Sequence, residues 1–102
     1  MTDDETAILV EKITKKFADE GRLIEGGWQI MRLMVLPSSA PDVQVTEMRK
    51  AYFTGAQHLF SSIMLVLDPG DEPTDIDLRR MELIHNELQE FADGLAREAD
   101  QR

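Results

Sequence analysis

Apolar residues recur three and four positions apart along most of the chain, which is the period of an α-helix rather than of a strand. This spacing predicts four helices, at about residues 3–20, 22–36, 42–67 and 74–99. Consecutive helices joined by short loops usually lie antiparallel. We therefore predict an all-α protein, in which residues 1–102 form a single domain folded as a compact up-and-down bundle of four helices.

Residues that begin or end helices stand at the limits of these segments. Thr2, followed three positions later by Glu5, matches the capping-box pattern, in which side chain and backbone cap each other. Gly21 is placed to end the first helix. Pro37 is expected to stop the second helix, because the residue before a proline is pushed out of the α region. Thr74 is expected to cap the last helix.

Glycines also occur inside the predicted helices, where each costs about 1 kcal/mol relative to alanine. Gly26 and Gly27 precede Trp28, and Gly55 lies midway along the third helix. We expect these glycines to allow helices to pack closely. A flat notch at Gly55 is expected to receive the Trp28 ring.

The second and third helices carry more apolar surface than a four-helix bundle covers. A helix that is apolar nearly all round belongs in an interior, whereas each member of such a bundle keeps one side outward. The surplus of exposed apolar surface predicts an interface with another chain. A symmetric pair of identical chains is the commonest closed arrangement. We predict a homodimer formed through these two helices, with Phe60 and Met64 or Trp28 and Met31 near its centre.

The net charge of −9 limits the kinds of molecule that the chain is expected to bind. Eleven of the acids, against four bases, fall within residues 68–102. This charge opposes binding to phosphate backbones, so we expect no nucleic-acid partner. It permits an alternative function, in which the chain is an acidic inhibitor or nucleic-acid mimic that binds a basic site on another protein.

Two residues on the last helix suggest metal chemistry, Glu82 and His85, which form a Glu-x-x-His pair. Di-iron bundles need this motif twice, and the only other histidine, His58, has Gly55 three positions before it. A half-buried histidine bonded to a neighbour is the ordinary outcome. A bundle-type metal protein or enzyme is therefore the third hypothesis, and we predict no metal and no cofactor.

The acids between Asp68 and Asp77 do not follow the calcium-loop order and are interrupted by two prolines, so we expect a solvated turn there.

Several function classes lack any sequence signal. The chain has no cysteine, no signal-peptide pattern and no apolar run near the ~20 residues that span a bilayer. We expect a cytoplasmic protein that does not bind membranes. Phosphate-binding loops and nucleophile elbows are also missing, so we expect no enzymatic activity. The leading hypothesis is a non-enzymatic protein–protein interaction module, which self-associates and whose other protein partners are unknown.

Overall fold

A computed structural model describes residues 1–101, and within them the chain forms four α-helices and no strand. The helices are α1 Asp3–Asp19, α2 Leu23–Met34, α3 Asp42–Val66 and α4 Asp75–Asp100. The predicted all-α class is confirmed, and every predicted helix end lies within two residues of the observed one. The up-and-down order of the helices remains a prediction.

Both predicted N-cap residues, Thr2 and Thr74, accept a backbone hydrogen bond, and the reciprocal bond of a capping box is observed at α4. The backbone N–H of Glu5 donates to Thr2 Oγ1 over 3.1 Å, and that of Asp77 donates to Thr74 Oγ1 over 3.1 Å. At α4 the bond is reciprocated, because the backbone N–H of Thr74 donates to the Asp77 carboxylate. Each cap satisfies an N–H group that the first turn of a helix leaves without a partner.

The turn from α1 to α2 is closed by backbone hydrogen bonds around Gly21, whose φ of +75° lies in the left-handed region. The N–H of Gly21 donates to the carbonyl of Ala18 over 3.1 Å, and the N–H of Arg22 donates to the carbonyl of Phe17 over 2.7 Å. These two bonds form a Schellman motif, which glycine at this position favours. The motif ends α1 and turns the chain sharply into α2, which packs against α1.

The contacts of the chain group into two units, one from Met1 to Ser61 and one beginning at Ser62 within α3. In the first unit, Trp28 is 1% exposed, and its ring centroid lies 6.0 Å from that of Tyr52 on α3. Among residues 1–101, Trp28 is the only fully buried large apolar side chain. This unit therefore has a core, but a small one.

Of the three glycines singled out from the sequence, two permit close packing, as predicted. A Cβ atom at Gly26 would lie 2.6 Å from Cβ of Phe17 on α1, and one at Gly27 would collide with the Tyr52 hydroxyl. The prediction for Gly55 is wrong, because a Cβ atom there would meet nothing within 4 Å. The Trp28 ring packs against the Tyr52 ring instead.

The second unit is organised by the loop that precedes α4. Asp77 is 3% exposed, and besides its bond with Thr74 it accepts a hydrogen bond of 2.8 Å from the backbone N–H of Asp68. Thr74 Oγ1 donates to the Asp68 carboxylate over 2.7 Å, and Arg80 donates to the carbonyl of Val66 over 2.6 Å. The expectation of a solvated turn is therefore wrong at Asp77, which is buried and holds the loop together.

Candidate functional site, a groove beside α2 and α3

A groove of about 850 Å³ lies on the surface of the first unit. We call it the α2–α3 groove. Its lining residues come from the end of α1, the start of α2 and the middle of α3, and they are Ala18, Gly21, Arg22, Leu23, Ile24, Glu25, Arg49, Phe53, Ala56, Gln57 and Phe60. Its size falls within the range typical of binding sites.

Polar side chains in this lining bind one another. Arg49 on α3 donates to the Glu25 carboxylate on α2 over 2.7 Å, and Gln29 donates to the other carboxylate oxygen over 2.9 Å. The hydrogen bond from Gln29, together with that from Arg49, holds the pKa of Glu25 below its ordinary value. The Arg49 guanidinium also lies 4.4 Å from the centroid of the Phe53 ring, within the range of a cation–π contact. Because the charges of Glu25 and Arg49 compensate each other, the surface left for a partner is mainly apolar.

Much of this apolar surface is open to solvent. Phe60, one of the lining residues, is 66% exposed, and Leu23 is 48% exposed. An isolated exposed leucine is ordinary on a protein surface, but a cluster around a groove is typical of an interaction site. The groove is therefore suited to receive apolar side chains.

The four residues predicted at an interface have different surroundings. Trp28 is covered within the chain by its packing against Tyr52, and Met31 is half-buried. Phe60 and Met64 are both exposed on α3, at 66% and 57%. Of the four, Phe60 lines the groove, and Met64 lies one helical turn beyond it.

Glu82 and His85 are both exposed on α4. No three His, Cys, Asp or Glu side chains within residues 1–101 come close enough together to hold a metal ion. Nothing in the described part of α4 gives this pair a further ligand. The metal hypothesis therefore gains no support from the geometry.

Sequence reasoning missed the ion pair between Glu25 and Arg49, although weak signals for it exist. Gln29 lies four residues after Glu25, and Phe53 lies four residues after Arg49, so each pair shares a helix face. The link between the two helices depends on how α2 and α3 meet, which helical periodicity alone does not determine.

Comparison of the chain with protein-family models, with curated proteins and with solved structures gave no match. The helices described within residues 1–101 include none with both the length and the apolar character needed to cross a bilayer. The function proposed below therefore rests on the residues of this chain alone.

Proposed function

We propose that this chain is a non-enzymatic protein–protein interaction module that self-associates as a homodimer through α2 and α3. The observation that carries the proposal is the amount of surface the single chain leaves exposed, 8653 Å². Two separate compact bodies with the lengths of the two units would expose about 7,000 Å².

The surplus of surface, part of which lies on α4, is large enough to supply a dimer interface. Relative to two compact bodies it amounts to about 1,600 Å² per chain, and obligate homodimers bury about 1,000–2,500 Å² on each partner. Much of the exposed surface is apolar, and obligate interfaces resemble a domain core divided between two chains. A second copy supplies a matching apolar surface without any other partner.

Charge favours the α2 and α3 surface over α4 for contact between two copies. Residues 22–60 contain four Lys or Arg against three Asp or Glu, so this segment is nearly neutral. Residues 75–100 contain eight acids against three Arg. Two identical chains repel each other least where each is neutral, because like charges brought together oppose association.

The α2–α3 groove suggests how two copies fit together. In a two-fold dimer each chain contributes the same patch, so a residue that projects from one copy meets the patch of the other. Phe60 is an exposed residue of the groove, whose other apolar lining residues include Ile24 and Phe53. We infer that Phe60 of each copy enters the groove of its partner, where a buried aromatic ring has the properties of a hot spot.

Two phenylalanines with nearly equal exposure provide a matched test. Phe60 on α3 is 66% exposed and Phe91 on α4 is 67% exposed. Phe60→Ser should shift the protein toward the monomer, with at least tenfold weaker association, since aromatic hot spots contribute about 2 kcal/mol or more. Phe91→Ser should leave the dimer intact.

Light scattering on the eluted peak measures the mass of each variant, and circular dichroism verifies that each remains helical. A folded Phe60→Ser variant that associates as tightly as the wild type would contradict the proposed interface. If Phe91→Ser loses the dimer and Phe60→Ser does not, the interface lies on α4 instead.

A cytoplasmic location is part of the same proposal. The absence of cysteine from the 102 residues is compatible with a reducing compartment, where disulfides rarely form. Fractionation of cells that express the tagged chain would test it, and recovery mainly with the membrane fraction would contradict it.

A further inference from the structure

One apolar stripe of the protein lies outside the proposed dimer interface. On α4 the residues Met81, Ile84, Leu88, Phe91 and Leu95 follow one another at spacings of three, four, three and four, which is the heptad pattern of a helix that packs against another helix. We call this stripe the α4 seam. Leu88 and Phe91, at its middle, are 55% and 67% exposed.

The two sides of the α4 seam differ in chemistry. Ala92 and Ala99 lie seven residues apart on one flank, where small side chains allow a neighbouring helix to approach closely. Glu87 and Glu98 are eleven residues apart, about three turns, and share the other flank. Both glutamates are exposed. A partner helix would therefore meet apolar residues at the centre, small residues on one side, and Glu87 and Glu98 on the other, where Arg80 precedes Glu87 by two turns.

We propose that the α4 seam binds a basic amphipathic helix of another protein. The eight acids and three arginines of residues 75–100 give α4 a net charge of −5, which complements a basic partner. A second copy of α4 would bring two such helices to an axial distance of about 8–10 Å, comparable with the screening length of about 8 Å at physiological salt, so their like charges would still repel. Charge thus favours the basic partner over a second copy.

The seam also determines the pattern expected in the partner. Its apolar residues should recur at i, i+3 or i+4, and i+7, so that they interdigitate with the α4 seam. Its Lys or Arg side chains should follow the flank that faces Glu87 and Glu98. This arrangement is helix-on-helix recognition with an asymmetric charge pattern, and it involves residues that the homodimer proposal does not use.

A pair of synthetic peptides tests the proposal. Both have leucine at the a and d positions of three heptads; one has lysine and the other glutamate at the flanking positions. Fluorescence anisotropy at physiological salt should show the lysine peptide bound to the wild-type protein at least tenfold more tightly than the glutamate peptide. Phe91→Ser should weaken this binding at least tenfold, whereas Phe60→Ser should not change it.

Matched charge variants separate a specific site from general attraction. Neutralising the flank acids in Glu87→Gln/Glu98→Gln should weaken binding of the lysine peptide several-fold. Neutralising two acids of the opposite face in Glu90→Gln/Asp93→Asn removes the same charge and should have a much smaller effect. Equal effects of the two double variants would overturn the proposal, because binding would then follow net charge alone.

The free protein provides the remaining readout. If Phe91→Ser lowers the helical content or the melting temperature of the free protein, the seam is already covered within the chain, and the proposal fails. If Phe91→Ser lowers the mass in solution, a second copy covers the seam, and the proposal fails in favour of that occupant. Equal affinity for the lysine and glutamate peptides, or no binding of the lysine peptide, would also overturn it. The two proposals are distinguished by the remaining results: a failure of peptide binding overturns only the seam proposal, and a Phe60→Ser variant that associates as tightly as the wild type overturns only the homodimer interface.

Discussion

Phe17 on α1 and Gly26 on α2 approach so closely that a Cβ atom at Gly26 would lie 2.6 Å from both Cβ and Cγ of Phe17. The Cβ atom of Phe17 cannot move without moving the α1 backbone, whatever rotamer the side chain adopts. The pair therefore fixes the distance between the first two helices, and Gly26 is needed for packing despite its cost inside a helix.

The first prediction is that Gly26→Ala destabilises the protein by about 1–3 kcal/mol, the usual cost of overpacking, even though alanine is the better helix former. Gly55→Ala is the matched control, because its new methyl group meets nothing within 4 Å. That variant should be more stable than the wild type by about 0.5–1 kcal/mol. Urea unfolding measures both, and a stabilising Gly26→Ala would show that α1 and α2 do not meet as described.

The second prediction concerns the cap of α4. Thr74→Ala removes the hydroxyl that accepts the N–H of Asp77 and donates to Asp68. Loss of an N-cap should lower the free energy of unfolding by about 1 kcal/mol. Thr54→Ala, at an exposed position within α3, is the control and should have little effect. Equal unfolding free energies for Thr74→Ala and the wild type would show that the loop is not held by this cap.

The third prediction is a pH dependence that originates at Asp77. Hydrogen bonds from the backbone N–H groups of Asp68 and Thr74 hold its pKa below the ordinary value of 3.8. A carboxyl group whose pKa is lowered by folding contributes stability that is present above its unfolded pKa and is lost as the pH falls through its folded pKa. The wild type should therefore be more stable than Asp77→Asn at neutral pH, and this difference should shrink below about pH 4.

Thermal unfolding of the two proteins between pH 7 and pH 2 measures this difference directly. Asp71→Asn, in the same loop but exposed, is the control for the general effect of charge and should show no such trend. A wild-type advantage over Asp77→Asn that stays constant down to pH 2 would contradict a lowered pKa at Asp77.

The fourth prediction uses the single tryptophan of the chain. Trp28 is 1% exposed and lies in the first unit, so its fluorescence reports on the unfolding of that unit. Far-UV circular dichroism instead reports on the helical content of the whole chain. The single domain predicted from the sequence requires that both signals change together during unfolding. Two separated transitions would instead show that the units beginning at Met1 and Ser62 unfold independently.

Local structure could be predicted from the sequence because its causes lie within a few residues. Thr2, Gly21 and Thr74 act where their positions indicated, since a cap or a left-handed glycine involves only neighbouring backbone groups. Pro37 likewise marked the end of α2, which stops at Met34. The helix limits depend on such local signals and could therefore be predicted from the sequence.

Contacts between residues that are distant in the sequence could not be predicted from these local signals. Periodicity placed Trp28 on an apolar face but did not show whether its own chain or a partner covers that face. The burial of Asp77 was missed because it depends on how the loop folds back to bring the Asp68 N–H to its carboxylate. For the same reason Gly26 and Gly55 resembled each other in sequence, although only Gly26 has a close neighbour.

A second copy is proposed to cover the apolar surface that α2 and α3 leave exposed. Light scattering on the eluted wild-type protein, measured across a series of concentrations, tests it most directly. We predict a mass of about twice the 11.6 kDa of one chain at micromolar concentration, falling toward one chain on dilution. A protein that remains at 11.6 kDa at high concentration, folded and without aggregation, would contradict the claim.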